Sequence, residues 1–559
     1  MAFRAGLLDA NGIPPFRHTY AVNQPFPHLV VQDVMQDDFL RRVRDEIDDS
    51  LGFNFDENDF HRTWRSTHLA NISNSDEYAP DLLPNLTRLR DTLNGPDFRE
   101  WLSSITGVGP LSGTRSSMAI NLYTPGDHLL VHDDCNPKSR NRRISFILYL
   151  THPDNIWKPE WGGGLRLYAC EPRSTSTASR DVVRTVQSTW SKCIQPCFNR
   201  LVFFGLRPGE TYHEVEQVLQ SGDMMVDQHL RRLAISGWFH AAQEGDQGFD
   251  EAFYRADVQR MEYFHQLKAT AFEFHEPQIA FMPFADGHMD GQDVDFTLTR
   301  HDIGYLSRYI APELLSQGLI VHTSHHFLET HTLQLQPFLC EQFEAKVRQY
   351  LEEHDHTHST FHGSDTTLWK TANPPNKQRF LYLEGPAVSS NPSNPILQLL
   401  VGLLRSRAFG KWLALVTGLE MYRLEGQHAI ARRFRRGLDY ILTDPQNQVG
   451  DQLDYTLLIT PTSCCRTASV KGMGRNSGEE IYRSAGDHAV ELAFTNLDRC
   501  YARSRGCGYR NSVPMNTFSA ILRKSGMQSI VSYVSRAAIG DRLDIKGNVQ
   551  LKNDNMRHE

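Results

Sequence analysis

The sequence predicts an α+β protein in which one jelly-roll fold, with flanking helices, occurs twice in tandem, the second copy degenerate. Three observations predict it. A helical block is followed by short β-branched and aromatic segments separated by Gly/Pro turns. Motifs of the first half recur in the second, in the same order and at a near-constant offset. A His-x-Asp pair in the first copy, within His132-Asp133-Asp134, has no counterpart in the second.

A chain of 559 residues is too long for a single core, so two domains are expected. With 40% hydrophobic and 22% charged residues, the composition is that of an ordinary globular protein. A net charge of -8 argues against wholesale coating of nucleic acid and leaves a local basic patch open. The nine cysteines are odd in number and form no CxxC pair or zinc spacing, which points to reduced thiols and no structural zinc. The N-terminal MAFRAGLLDANGIPP lacks the charged start and apolar core of a signal peptide, and no run of about eighteen apolar residues offers a membrane span. An intracellular protein is expected, with nucleus and cytosol not distinguished.

Residues 1–25 read as an irregular lead-in, and Phe26 to Val31 as a short strand. An amphipathic helix is expected from Gln36 to Asp49. Helical spacing returns after Pro84 through Leu86, Leu89 and Leu93, breaks at Gly95-Pro96, and resumes through Phe98, Trp101, Leu102 and Ile105. From Ser116 the segments SSMAINLY, RISFILYL, GGLRLYAC, NRLVFFGL and RLAISGWF read as strands, and this domain closes near His240. The expected organisation is a catalytic domain over 1–240, a helical connector over 241–296 and a second jelly roll over 297–559.

The repeat is explicit. Phe98-x-x-Trp101-Leu102-x-x-x-Thr106-Gly107 returns as Phe409-x-x-Trp412-Leu413-x-x-x-Thr417-Gly418, an offset of 311. At that offset Tyr123 meets Phe434 and Gly126 meets Gly437. Arg232-Leu233-x-Ile235-x-Gly237 returns as Arg542-Leu543-x-Ile545-x-Gly547, at 310. The repeat is also an internal control: His132 and Asp134 fall on Thr443 and Pro445, and the segment Met527 to Ile530, matching the neighbourhood of His213, holds no His.

A His and a carboxylate two residues apart share one face of a strand end, and a second His completes the 2-His-1-carboxylate set of non-haem Fe(II) oxygenases. Alone the pair is weak, because about three such pairs are expected by chance in this composition, His288-Met289-Asp290 among them. A third ligand is needed on the facing strand, and His213 in RPGETYHEVEQV follows the strand NRLVFFGL; a surface turn histidine is the alternative. A dicarboxylate cosubstrate needs a fixed cation. Arg232 opens the strand RLAISGWFH, with Arg231 on the opposite face. Tyr123, nine residues before His132, could add a phenol hydrogen bond; otherwise it is a core or rim tyrosine.

The segments LLVHDD, RRISFILYL, WGGGLRLY, NRLVFFGLRPGETYHEV and RLAISGWFH resemble the ribosomal prolyl 3-hydroxylase family of 2-oxoglutarate and iron dependent oxygenases. The resemblance is strong over 26–240 and diffuse over 297–559. It implies tandem double-stranded β-helix (cupin-like) domains, the second non-catalytic, with Fe(II), 2-oxoglutarate and O2 as cofactors and ascorbate as a supporting reductant. It implies that His132, Asp134 and His213 bind iron, and that Arg232 and Tyr123 bind the distal carboxylate of 2-oxoglutarate. The implied substrate is a proline of a small-subunit ribosomal protein near the decoding centre, hydroxylated at C3, with links to translation termination and oxygen sensing. One departure stands: Arg232 lies 19 positions after His213, against about a dozen in the family. The excess around Leu219 to Gln228 is expected to lengthen a loop.

Two further stretches stand out. His322, His325, His326 and His331, with His354, His356, His358 and His362, form a His-rich region expected to be solvated loop. Arg432-Arg433-Phe434-Arg435-Arg436 is expected to be a solvated strand edge, with contact to RNA or an acidic partner as the alternative. Two function classes follow: a prolyl hydroxylase acting on the ribosome, and an oxygen-responsive scaffold or regulator that binds ribosomal, termination or regulatory proteins through its C-terminal domain.

Overall fold

The computed structural model describes residues 2–74, 83–135, 141–174, 182–252, 275–284, 297–354, 369–385, 393–442, 450–460, 480–484, 490–493, 515–536 and 540–552, with isolated positions in 254–262 and at 538. The chain divides into two compact units, Met1–Phe274 with Pro374–Asn376, and His275–Asn373 with Lys377–Glu559. The division falls inside the connector expected over 241–296, of which 263–274 and 285–296 lie outside the described residues. Met282–Pro283 already pairs with the second unit's strand Leu424–Phe434.

The first unit is built on one antiparallel ladder. In spatial order its strands are Leu29–Gln32, Arg200–Gly205, Arg142–Tyr149, Arg232–Ala241, Leu111–Tyr123, His61–Arg65, His128–His132, His213–Val215, Leu165–Leu167 and Lys192–Ile194. The sheet curls, so that its two ends share an interior. Ile147, Tyr149, Val202, Phe204 and Ala234 from one end pack with Leu165, Leu167 and Ile194 from the other. The alternate residues Ile144, Phe146, Leu148, Leu201, Phe203, Leu233 and Ile235 point away from that interior into the helical layer. Burial on both faces explains why RISFILYL is almost continuously apolar.

The helical layer follows its sequence periods. Asp37–Ser50 buries Phe39, Leu40, Val43 and Ile47. Pro84–Asn94 and Pro96–Thr106 begin at their prolines and bury Leu86, Leu89 and Leu93, then Phe98, Trp101, Leu102 and Ile105. Each such side chain contributes ~1.5–3 kcal/mol of burial. The lead-in is not irregular: Ile13–Val22 is a helix started by Pro14-Pro15, and its Tyr20 hydroxyl accepts from Gly205 N at 3.0 Å. The extra residues after His213 are likewise not all loop, since Met224–His229 forms a short helix capped by Asp223.

The second unit carries the same strand sequence in space: Thr332–Leu335, Thr517–Arg523, Gln452–Leu458, Arg542–Leu551, Leu424–Phe434 and Leu381–Glu384. Arg232 pairs with Tyr123 across the ladder of the first unit, and Arg542 with Phe434 in the second. The helices Pro96–Thr106 and Arg407–Thr417 end alike. Thr106 and Thr417 each donate to the carbonyl four residues back at 2.7 Å, and Gly107 and Gly418 are left-handed, at φ 70 and 67. Gly237 and Gly547 both sit where the ladder is crowded. A Cβ on the first would lie 1.7 Å from the Ser117 carbonyl oxygen, and on the second 2.0 Å from the Tyr455 ring.

Two expectations fail in this unit. His322, His325 and His326 are exposed on the helix Gln317–Thr330, and His331 ends it in a left-handed residue, so this part of the His-rich region is helix rather than loop. His356, His358 and His362 lie outside the described residues, as do Thr443 and Pro445. The arginine cluster is not a solvated edge. Leu424–Phe434 is an inner strand, and Arg432, 4% exposed, pairs with Asp544 at 2.7 Å and Glu480 at 3.5 Å. Arg433 pairs with Asp541 and Arg435 with Asp439. Asp544, Asp541 and Glu480 are distant in sequence, and only Asp439 is near, four residues after Arg435, so the charge run looked largely unopposed.

Gly237→Ala is expected to destabilise the first unit by ~2–3 kcal/mol through overpacking against a backbone that cannot retreat. A chemical-denaturation midpoint equal to wild type would contradict this.

Candidate metal centre

The site is assembled by the two strands that meet at the mouth of the first unit's interior. Antiparallel pairing places His213 directly opposite His132, and their ring centroids are 4.2 Å apart. The strand ends at His132, so strand alternation does not carry Asp134 to the same face. A turn does, with Asp134 in the left-handed region at φ 58, a conformation Asp tolerates better than most residues. Asp133 anchors that turn: its carboxylate accepts from Gly209 N at 3.0 Å and Cys135 N at 3.3 Å.

Ligand atoms of His132, Asp134 and His213 all lie within 4.8 Å of one another. Among the described residues no other group of three His, Cys, Asp or Glu converges in this way. Each imidazole is oriented through its far nitrogen. His132 Nδ1 lies 2.8 Å from the Leu130 carbonyl and His213 Nδ1 2.9 Å from that of Thr211. A carbonyl can only accept, so Nδ1 carries the proton and the Nε2 lone pair is left for a metal. The Nε2 atoms each approach Asp134 at 3.5 Å. Two such imidazoles and a carboxylate, partly shielded from solvent, fit Fe(II) with open positions.

Electrostatics agree. Burial, reinforced by the neighbouring His213, lowers the His132 pKa to about 4, so this ring is neutral. Burial opposes ionisation of Asp134, but His213, His132 and Trp238 together hold its carboxyl well below the usual range. Burial also opposes a charge on His213, yet the Asp134 carboxylate outweighs it and raises the His213 pKa above its ordinary value.

Arg232, expected to meet the cosubstrate carboxylate, opens the strand Arg232–Ala241. Arg232 is 2% exposed, donates from Nε to the Gly163 carbonyl at 2.6 Å, and stands 5.0 Å from the Tyr123 ring centroid and 5.1 Å from that of Tyr149. Its Nη2 donates to the Tyr149 hydroxyl at 3.4 Å. Arg231 points the other way, to Asp48 at 2.6 Å. Burial raises the pKa of Tyr123 and of Tyr149, so both remain neutral phenols able to donate. Tyr149 was not singled out from the sequence. Period-two alternation from Ser145 through Ile147 would have found it, as alternation from Arg232 through Ala234 and Ser236 would have found Trp238.

Residues 118–240 match the model of the 2OG-Fe(II) oxygenase superfamily, and residues 301–557 match that of the oxoglutarate and iron-dependent oxygenase degradation C-terminal region. The chain is 28% identical over 538 residues to a protein of Ostreococcus tauri named prolyl 3,4-dihydroxylase OGFOD1, covering 93% of this chain and 94% of that one. It is 29% identical over 413 residues to mouse prolyl 3-hydroxylase OGFOD1, covering 73% of this chain and 59% of that one. The chain belongs to the 2-oxoglutarate and Fe(II)-dependent oxygenases. Among solved structures, this oxygenase resembles a Pseudomonas putida prolyl-4-hydroxylase at 21% identity and a TM-score of 0.26, over 41% of this chain and 98% of that one. Its cofactors are Fe(II), 2-oxoglutarate and O2.

With His213 as a ligand, metal binding would displace its proton, because only neutral imidazole is a ligand. The raised His213 pKa then sets the sign: apparent Co(II) or Fe(II) affinity falls about tenfold per pH unit below that pKa and levels off above it. Anaerobic titrations from acidic to neutral pH check this; affinity independent of pH would contradict it.

Proposed function

We propose that this oxygenase is a protein prolyl hydroxylase that adds a hydroxyl at C3 of a proline in a small-subunit ribosomal protein near the decoding centre, with consequences for translation accuracy and termination. The observation carrying the site is the convergence of His132, Asp134 and His213 within 4.8 Å, in the unit that also buries Arg232. The choice of proline is supported by the names of the relatives, prolyl 3,4-dihydroxylase and prolyl 3-hydroxylase. The ribosomal substrate rests on the sequence resemblance.

In this reading His132, Asp134 and His213 hold Fe(II). When bound, Fe(II) supplies the chemistry that couples oxidative decarboxylation of 2-oxoglutarate, to succinate and CO2, with hydroxylation of a C–H bond. The protein supplies geometry. Arg232, with Tyr149 and Tyr123 as neutral donors, would hold the far carboxylate in a desolvated pocket, where a charge-assisted contact is strong. Leu130 and Thr211 keep both imidazoles in the tautomer that presents Nε2.

The second unit is read as a degenerate double-stranded β-helix, supported by the shared strand order and by Arg542 standing opposite Phe434 as Arg232 stands opposite Tyr123. Its interior favours a role in binding rather than chemistry. By strand register Asp544 and Arg432 occupy the positions of Ala234 and Asn121, and fill them with an ion pair. A regulatory or scaffold role for this unit is the second reading.

The test is 2-oxoglutarate turnover to succinate by Fe(II)-loaded protein with proline-containing ribosomal peptides, followed by mass spectrometry. Peptide-stimulated turnover and one added oxygen on proline are expected, lost at least a hundredfold in His132→Ala and Arg232→Ala but kept in Arg231→Ala. Turnover that no proline peptide stimulates would sink the substrate assignment; turnover surviving His132→Ala would sink the ligand assignment.

A further inference from the structure

The two oxygens of the Asp134 carboxylate have different surroundings. Oδ2 accepts from the Trp238 indole Nε1 at 2.9 Å and from Ser145 Oγ at 3.0 Å. Oδ1 is the oxygen turned toward His132 Nε2, at 3.5 Å, while His213 Nε2 lies 3.5 Å from Oδ2. Trp238 and Ser145 are direct cross-strand partners, so the ladder itself delivers both donors to the same point. The indole is held in place from its open face: the Arg142 guanidinium carbon stands 3.4 Å from the ring centroid, and Arg142 Nη1 reaches the Asp134 carbonyl at 3.4 Å.

This asymmetry has a coordination consequence. Two imidazoles and a carboxylate leave three positions on a six-coordinate metal only if the carboxylate binds through one oxygen. A chelating carboxylate would occupy a fourth position, and a 2-oxo acid bound through two atoms would fill the rest, leaving none for O2. Two donors converging on one carboxylate oxygen engage its lone pairs and fix the plane of the group. We propose that Trp238 and Ser145 are positioning residues that restrict Asp134 to ligation through Oδ1 and so keep the third coordination position open. The proposal rests on the assignment of His132, Asp134 and His213 as the Fe(II) ligands.

The test uses the full chain loaded anaerobically with Fe(II) and 2-oxoglutarate, with nitric oxide as an O2 surrogate. Formation of the Fe(II)–2-oxoglutarate complex is followed by its visible charge-transfer absorption. Occupation of the open position is followed by the half-integer-spin electron paramagnetic resonance signal of the nitrosyl adduct. In Trp238→Phe/Ser145→Ala the charge-transfer band persists while nitric oxide affinity falls tenfold or more. Single substitutions give intermediate losses, and Ser145→Thr, which keeps the hydroxyl donor, retains affinity near wild type. A double variant that forms the 2-oxoglutarate complex and binds nitric oxide as wild type does would overturn the proposal. Should the double variant not fold or not hold Fe(II), unchanged nitric oxide affinity in both Trp238→Phe and Ser145→Ala overturns it equally. A wild-type protein that forms no Fe(II)–2-oxoglutarate complex, or one that survives His132→Ala, removes the ligand assignment instead.

Discussion

Pairing of the strand His213–Val215 against His128–His132 is the constraint from which the site hangs. It brings two histidines 81 positions apart in the chain into register, and the turn after His132 then has only to swing one carboxylate inward. Because side chains alternate with a period of two, a slip of one residue would send His213 out of the barrel. The same holds for Arg232, whose neighbour Arg231 is already on the other face and paired with Asp48. Register is fixed by packing rather than by the site. Leu233 and Ile235 are locked into the helical layer by the same alternation that aims Arg232 and Ala234 inward.

The candidate metal centre uses this framework economically. Neither imidazole needs another side chain to set its tautomer, since the backbone carbonyls two residues earlier do so. The carboxylate is the member that needs help, because it lies beyond the end of the strand in a left-handed turn. Asp133, Ser145 and Trp238 supply that help from three different segments. Burial works in two directions. It keeps His132, Tyr123 and Tyr149 neutral, and it strengthens the Asp134 contacts that favour charge on that carboxylate.

The second unit shows what the same ladder becomes when the interior holds ions of the protein's own. Glu480 receives hydroxyl donors from Thr456 and Ser529 and lies among Lys546, Arg432 and Arg542, which hold its carboxyl below the usual range despite burial. Such a network is costly to desolvate, and its value lies in every member being matched. Losing one partner would leave a buried charge uncompensated. The interior is thus lined by the unit's own ion pairs, where the first unit's interior converges on His132, Asp134 and His213.

Much of this was legible in the sequence because it is periodic or local. The helices from Pro84 and Pro96 announce themselves by proline starts and apolar spacing, and the strands by β-branched runs. The offset of 310 to 311 exposes the repeated strand-and-helix signals, such as Arg-Leu-x-Ile-x-Gly, which falls on an inner strand in each unit. His132, Asp134 and Arg232 could be named because each sits in or beside such a segment. What only the tertiary structure decided was pairing across distance. It brought Tyr149, Ser145 and Trp238 to the site, and turned Arg432 and Arg433 onto acids about a hundred residues away. Sequence periodicity tells which residues share a face; which faces meet depends on how the sheet curls, and that is a property of the whole core.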